Sequence, residues 1–164
     1  MPLIAWTTQM NVGVKLLNND HKKLVILINN LHDGLVTGQY KPELEDLFES
    51  LVNSTSVHHA NEEKFLAEAG YHSFQMHKQE HEQMLEQLME LQIRFISSAR
   101  LGVEIEVIHQ LRTWLFKHIQ GSDQQFAPHL KTINVGAILA DWKAPIEISR
   151  RIPASEPRIE QGVW

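Results

Sequence analysis

His58-His59-Ala60-Asn61-Glu62-Glu63 places an imidazole and a carboxylate four residues apart, at His58 and Glu62. Side chains at i and i+4 share one face of an α-helix, so a helical reading points both groups the same way. The surrounding residues support that reading. Leu44, Leu47, Phe48, Leu51, Thr55, His58, Glu62 and Phe65 fall on one face at the 3.6-residue period. Pro42, with Glu43 and Glu45, makes a favourable helix start, and Gly70 closes the segment. Glu62 thus lies within an apolar stripe, where a carboxylate is rare unless it is paired or bound to a metal.

Three other stretches carry the same periodicity, and no β-like alternation is sustained anywhere. The first predicted helix spans about 14–37, with Leu17, His21, Leu24, Val25, Ile28 and Leu35 inward and the Gly34 to Gly38 region ending it. The third runs from about Ser73 to Ile96, with His77, His81, Met84, Leu85, Leu88 and Phe95 inward. The fourth starts after Leu101-Gly102, carries Ile108, Leu111, Leu115, His118 and Ile119, and is expected to stop at Pro128 after Ala127. Four such helices with short connections predict an all-α fold, an antiparallel up-down-up-down four-helix bundle with a C-terminal extension. Residues 1–131 form the predicted bundle with its N-terminal arm, and 132–164 the extension. Val135, Ile138, Leu139 and Trp142 have the spacing of a short amphipathic helix there, expected to dock on the bundle. Plain packing and a partner-docking or gating role both remain open for it.

Composition narrows the classes. The chain has 164 residues, is 43% hydrophobic and carries a net charge of −5, so one domain with a sizeable core is expected rather than disorder. There is no basic block, which argues against nucleic acid or an anionic membrane as partner. The longest strongly apolar run, Leu24-Val25-Ile26-Leu27-Ile28, is too short to span a bilayer. Met1 to Gln9 lack a cationic region and an apolar core, so no secretory leader is expected and the protein is read as cytoplasmic. With no cysteine, disulfides and thiolate metal sites are excluded. Ten histidines are roughly twice the average share and call for a reason.

That reason is a convergence. His21, His58, Glu62, His77, His81, His118 and Asp123 come from all four helices, and five imidazoles with two carboxylates make an N/O donor set that suits iron. The two carboxylates could each bridge a pair of ions. Left unmetallated, seven buried ionisable groups would cost several kcal/mol in desolvation. One spacing is irregular. His118 and Asp123 are five apart, which on an ideal helix leaves them about 140° apart. A distorted or π-type turn near Gln120-Gly121-Ser122, which aligns i with i+5, is therefore expected. His59 points about 100° from His58 and is read as lining the edge of the site. His32, His72, His109 and His129 fall at helix ends or solvent positions and are not read as ligands.

These elements resemble a bacterial hemerythrin over about residues 6–130. They are Trp6, Val12-Gly13-Val14, Asn19-Asp20-His21-Lys22, the His58 to Glu63 motif, His77-x-x-x-His81 and Trp114-Leu115-x-x-His118-Ile119-x-x-x-Asp123. The resemblance implies two iron ions with an oxo or hydroxo bridge. His77, His81 and His118 would ligate one iron, His21 and His58 the other, and Glu62 and Asp123 would bridge. The second iron would keep an open position for dioxygen, and Leu24, Trp114, Leu115 and Ile119 would form a dry pocket around it. His59 stands where the family usually has Phe, so a polar ring borders that pocket. The implied function is reversible dioxygen binding for storage, transport or delivery in the cytoplasm, with an oxygen-consuming enzyme as a possible recipient. The alternatives are an oxygen sensor or a di-iron enzyme of the peroxidase or nitric-oxide-handling kind. Ferritin-like oxidases need two Glu-x-x-His motifs, and only Glu106-x-x-His109 has that spacing here, so no enzyme is expected.

Overall fold

Four long helices dominate the computed structural model, which describes residues 1–142: α1 (Lys15–Thr37), α2 (Lys41–Glu68), α3 (Phe74–Ser97) and α4 (Leu101–Lys117). A π-helical turn, His118–Ser122, joins α4 to α5 (Asp123–Leu130), and a short α6 (Val135–Ala140) follows. No strand occurs among the described residues. The helices pack in a ring, α1 on α2, α2 on α3, α3 on α4 and α4 back on α1, which makes a helical bundle.

The apolar stripes form two core clusters rather than one. Leu24, Ile28, Leu31, Phe48, Leu51, Leu88, Phe95, Leu111 and Leu115 belong to the larger, and Val12, Leu17, Phe65, Leu66, Phe126 and Leu130 to the smaller. The polar residues explain the division. His21 falls between Leu17 and Leu24, and His58 with Glu62 between Leu51 and Phe65, so a buried polar layer interrupts the core. Leu47, Met84 and Leu85 are only half-buried, while Leu31, Leu91 and Val107 complete the core outside the expected stripes.

Two glycines end helices in the left-handed region, Gly38 (φ 74°) after α1 and Gly70 (φ 64°) after α2. Each lets the next residue donate back into the last turn, Gln39 to the Gly34 carbonyl at 2.8 Å and Tyr71 to that of Leu66 at 3.0 Å. A Cβ on Gly70 would meet nothing within 4 Å, so only backbone strain opposes Gly70→Ala. That variant is expected to lose about 1–2 kcal/mol, read as a lower urea midpoint; an unchanged midpoint would contradict the assignment.

Pro128 does not stop the last helix. α5 continues to Leu130, with Lys131 N–H bonding the Pro128 carbonyl at 3.2 Å. Proline costs this turn one N–H, but buried Phe126 and Leu130 hold it against the smaller cluster. His129 Nε2 adds a bond to the Ala69 carbonyl at 2.8 Å.

Lys41 ties three helix ends together. It donates to the Phe95 carbonyl at 2.7 Å, pairs with the largely buried Glu104, and lies over the Phe95 ring at 3.9 Å. At the other end of the molecule, Ile133, Val135, Ile138, Leu139 and Trp142 pack half-buried on the smaller cluster. Asn134 caps α6 by accepting from the Ala137 N–H at 3.0 Å. The rest of the predicted extension, 143–164 with Pro145, Pro153 and Pro157, lies outside the described residues. No described helix is long and apolar enough to cross a membrane.

Candidate metal centre

All seven candidate ligands arrive in one buried layer, none more than 5% exposed. α1 supplies His21, α2 supplies His58 and Glu62, and α3 supplies His77 and His81. His118 opens the π-helical turn, which contains the expected Gln120-Gly121-Ser122, and Asp123 follows it. The wider turn brings i and i+5 onto one side, leaving His118 Nδ1 3.4 Å from Asp123 Oδ1.

The two carboxylates stand between histidines from different helices. Glu62 Oε1 lies 2.5 Å from His77 Nε2 and 3.2 Å from His81 Nε2, and its Oε2 faces His58 and His21 at 3.8 and 3.9 Å. Asp123 Oδ2 lies 3.1 Å from His21 Nε2, with Oδ1 3.7 Å from His77 Nε2. His21 Nε2 and His58 Nε2 are 3.0 Å apart. Donor atoms of His21, His58, His118 and Asp123 fall within 4.8 Å of one another, as do those of Glu62, His77 and His81.

Whether this set fits a metal is tested by its unpaired atoms. Glu62 Oε2, His81 Nε2, both His118 nitrogens and both Asp123 oxygens are buried with no hydrogen-bond partner. Buried polar atoms normally find one, so this concentration of unsatisfied donors in one layer fits cations held between them. The electrostatics agree. Burial pushes the Asp123 carboxyl well above the usual range, and the charge of Glu62 beside it adds to the shift. Burial acts upward on Glu62 as well, but the His77 and His81 imidazoles facing its Oε1 hold it well below. Burial lowers His81, yet Glu62 and Glu63 raise it to about 9, while burial keeps His118 well below the ordinary imidazole range. A bound cation would displace the proton from His81 and act against the upward shift of Asp123.

Two acids beyond the seven orient the rings, and periodicity alone does not reveal them. Glu63 Oε1 faces His81 Nδ1 at 3.0 Å, which turns the other nitrogen inward. Asp20 Oδ2, bonded by the Asn61 amide at 2.9 Å, lies 3.9 Å from His58 Nδ1. Burial raises Asp20, but His58 and Asn61 hold it lowered overall. The only signal was adjacency, since Asp20 precedes His21 and Glu63 follows Glu62. Glu63→Ala is expected to weaken iron retention about 10–100-fold in competition with a chelator, and unaltered retention would remove Glu63 from the centre.

The expected pocket residues Leu24, Trp114, Leu115 and Ile119 all lie buried in the larger cluster. Trp114 Nε1 donates to the Met84 carbonyl at 3.1 Å. Its ring and His118 line a cleft of about 270 Å³ with Met84, Lys117 and Ser122, open between α3 and α4. His59 borders the cluster from within the core: it is 5% exposed and stacks on His81, ring centres 3.8 Å apart and 3° from parallel. Of the remaining histidines, His32 pairs with Asp33, His129 bonds Ala69, and His72 and His109 are exposed.

Comparison with known proteins follows the same pattern. The family model "Hemerythrin HHE cation binding domain" matches residues 12–130. A bacteriohemerythrin of Stenotrophomonas maltophilia is 30% identical, over 80% of this chain and 84% of that protein. One from Pseudomonas aeruginosa is 33% identical, over 75% and 78%. A solved wild-type hemerythrin superposes with a TM-score of 0.68 at 26% identity, covering 78% of this chain and 98% of that one.

Proposed function

This chain belongs to the hemerythrin family and is a hemerythrin-type iron protein; from that premise we propose that it binds dioxygen reversibly at a pair of iron ions. The observation that carries this reading is the position of Glu62 and Asp123, wholly buried and each within 4 Å of histidines from at least two other segments. His77, His81 and His118 would hold one ion and His21 and His58 the other, with Glu62 and Asp123 shared and an oxo or hydroxo group completing the bridge. Bound ferrous iron supplies the electrons that make dioxygen uptake possible.

The protein's part is binding, exclusion and restraint. Five imidazoles bring less negative charge than a carboxylate-rich set, which disfavours highly oxidised iron and favours release over further chemistry. Leu24, Trp114, Leu115 and Ile119, all buried, would exclude water from the loaded site and so slow irreversible oxidation. His59, a buried polar ring stacked on His81, would work against them. His59→Phe is expected to slow spontaneous oxidation of the reduced protein in stopped-flow absorbance; an unchanged or faster rate would contradict this role.

The reading extends to oxygen storage, transport or delivery in the cytoplasm, with an oxygen-consuming enzyme as recipient and no catalysis of its own. Residues 1–131 would form the oxygen-binding unit and the extension from 132 would brace it, consistent with Ile138 and Trp142 on the smaller cluster. The test is a cycle. The iron-loaded protein is reduced under argon, exposed to oxygen and swept with argon again. A visible charge-transfer band that appears and disappears over repeated cycles supports a carrier. One-way conversion to a stable ferric form overturns it in favour of an oxidase.

A further inference from the structure

His59 belongs to none of the roles assigned to the seven ligands, yet its Nε2 is buried with no hydrogen-bond partner. Donor atoms of His59, His81 and His118 lie within 4.8 Å of one another; His118 Nε2 is also unpartnered, and His81 Nε2 faces only the Glu62 carboxylate, 3.2 Å away. The three rings come from α2, α3 and the π-helical turn, so the grouping is tertiary and does not follow from sequence spacing.

We propose that His59, His81 and His118 form a second, three-imidazole metal site that takes a single zinc-like divalent ion and shares two of its ligands with the iron pair. Three neutral imidazoles with a fourth position open is a donor set that suits zinc or cobalt. Imidazole sites also bind cobalt and zinc more tightly than ferrous iron. The His59 ring now stacks face to face on His81. Two parallel rings cannot aim at one ion, so binding requires the His59 ring to turn about its broad terminal torsion and give up this stacking. Because His81 and His118 cannot serve two ions at once, occupancy here excludes assembly of one half of the iron pair. The site would therefore decide which metal the chain accepts when iron is scarce and zinc is not.

The proposal rests on the position of His59, not on oxygen binding, and the two fail separately. Cobalt(II) is added at less than one equivalent to the metal-free full-length chain, with helicity verified by circular dichroism. A four-coordinate cobalt bound by three imidazoles absorbs strongly in the visible, whereas five- or six-coordinate cobalt on bridging carboxylates absorbs weakly. Strong absorption is expected in the wild type, retained in His77→Ala, and lost in both His59→Phe and His59→Gln. Weak absorption in the wild type, or strong absorption surviving both His59 substitutions, overturns the site. A chain that cycles oxygen when iron-loaded but gives only weak cobalt absorption overturns this proposal and leaves the oxygen reading standing.

Discussion

Glu62→Ala is expected to abolish stable binding of the iron pair while leaving the helices intact. The side chain is fully buried and faces four imidazoles, two within 3.2 Å and two within 3.9 Å. If it bridges, one substitution removes a ligand from both ions, leaving Asp123 alone to span them. Loss of a group that merely orients a ligand costs about 10–100-fold in affinity, and loss of a shared ligand should exceed that. The variant should therefore emerge from gel filtration with most of its iron gone and its far-ultraviolet circular dichroism unchanged. Glu62→Gln separates charge from packing, because it preserves volume but cannot bridge as an anion. It should be nearly as defective. Full iron content in either variant would remove Glu62 from the centre.

Removing iron from the wild type should have the second-largest effect, this time on stability. Without cations the layer leaves buried atoms of Glu62, Asp123, His81 and His118 unpaired, and ionic groups in that situation typically cost about 3–5 kcal/mol. Metal bound by the native state alone also stabilises it by mass action. For a chain of this length each kcal/mol moves the melting temperature by about 2–4 °C, so chelation is expected to lower it by roughly 10–15 °C. Equal melting temperatures with and without iron would mean that the layer satisfies itself.

Much of this was legible in the sequence because helices write their inward face at a fixed period. Six of the seven candidate ligands could be picked out because they interrupt apolar stripes, while Asp123, out of phase with His118 on a regular helix, called for the π-helical turn. The misreading at Pro128 has the opposite origin. A local rule about a missing N–H was outweighed by burial of Phe126 and Leu130, which only the assembled core reveals. Glu63, Asp20 and the Lys41–Glu104 pair depend on how neighbouring helices are registered, and a single chain's periodicity does not encode that. The full enclosure of His59 was hidden for the same reason. Its 100° offset from His58 set it at the rim of the ligand cluster, and the approach of α3 buries it there against His81.

Diffraction from iron-loaded crystals at the iron absorption edge tests the central claim most directly. Two anomalous peaks are expected between Glu62 and Asp123, one on the side of His77 and His81 and the other on the side of His21 and His58. A single peak, or density away from those carboxylates, would contradict it.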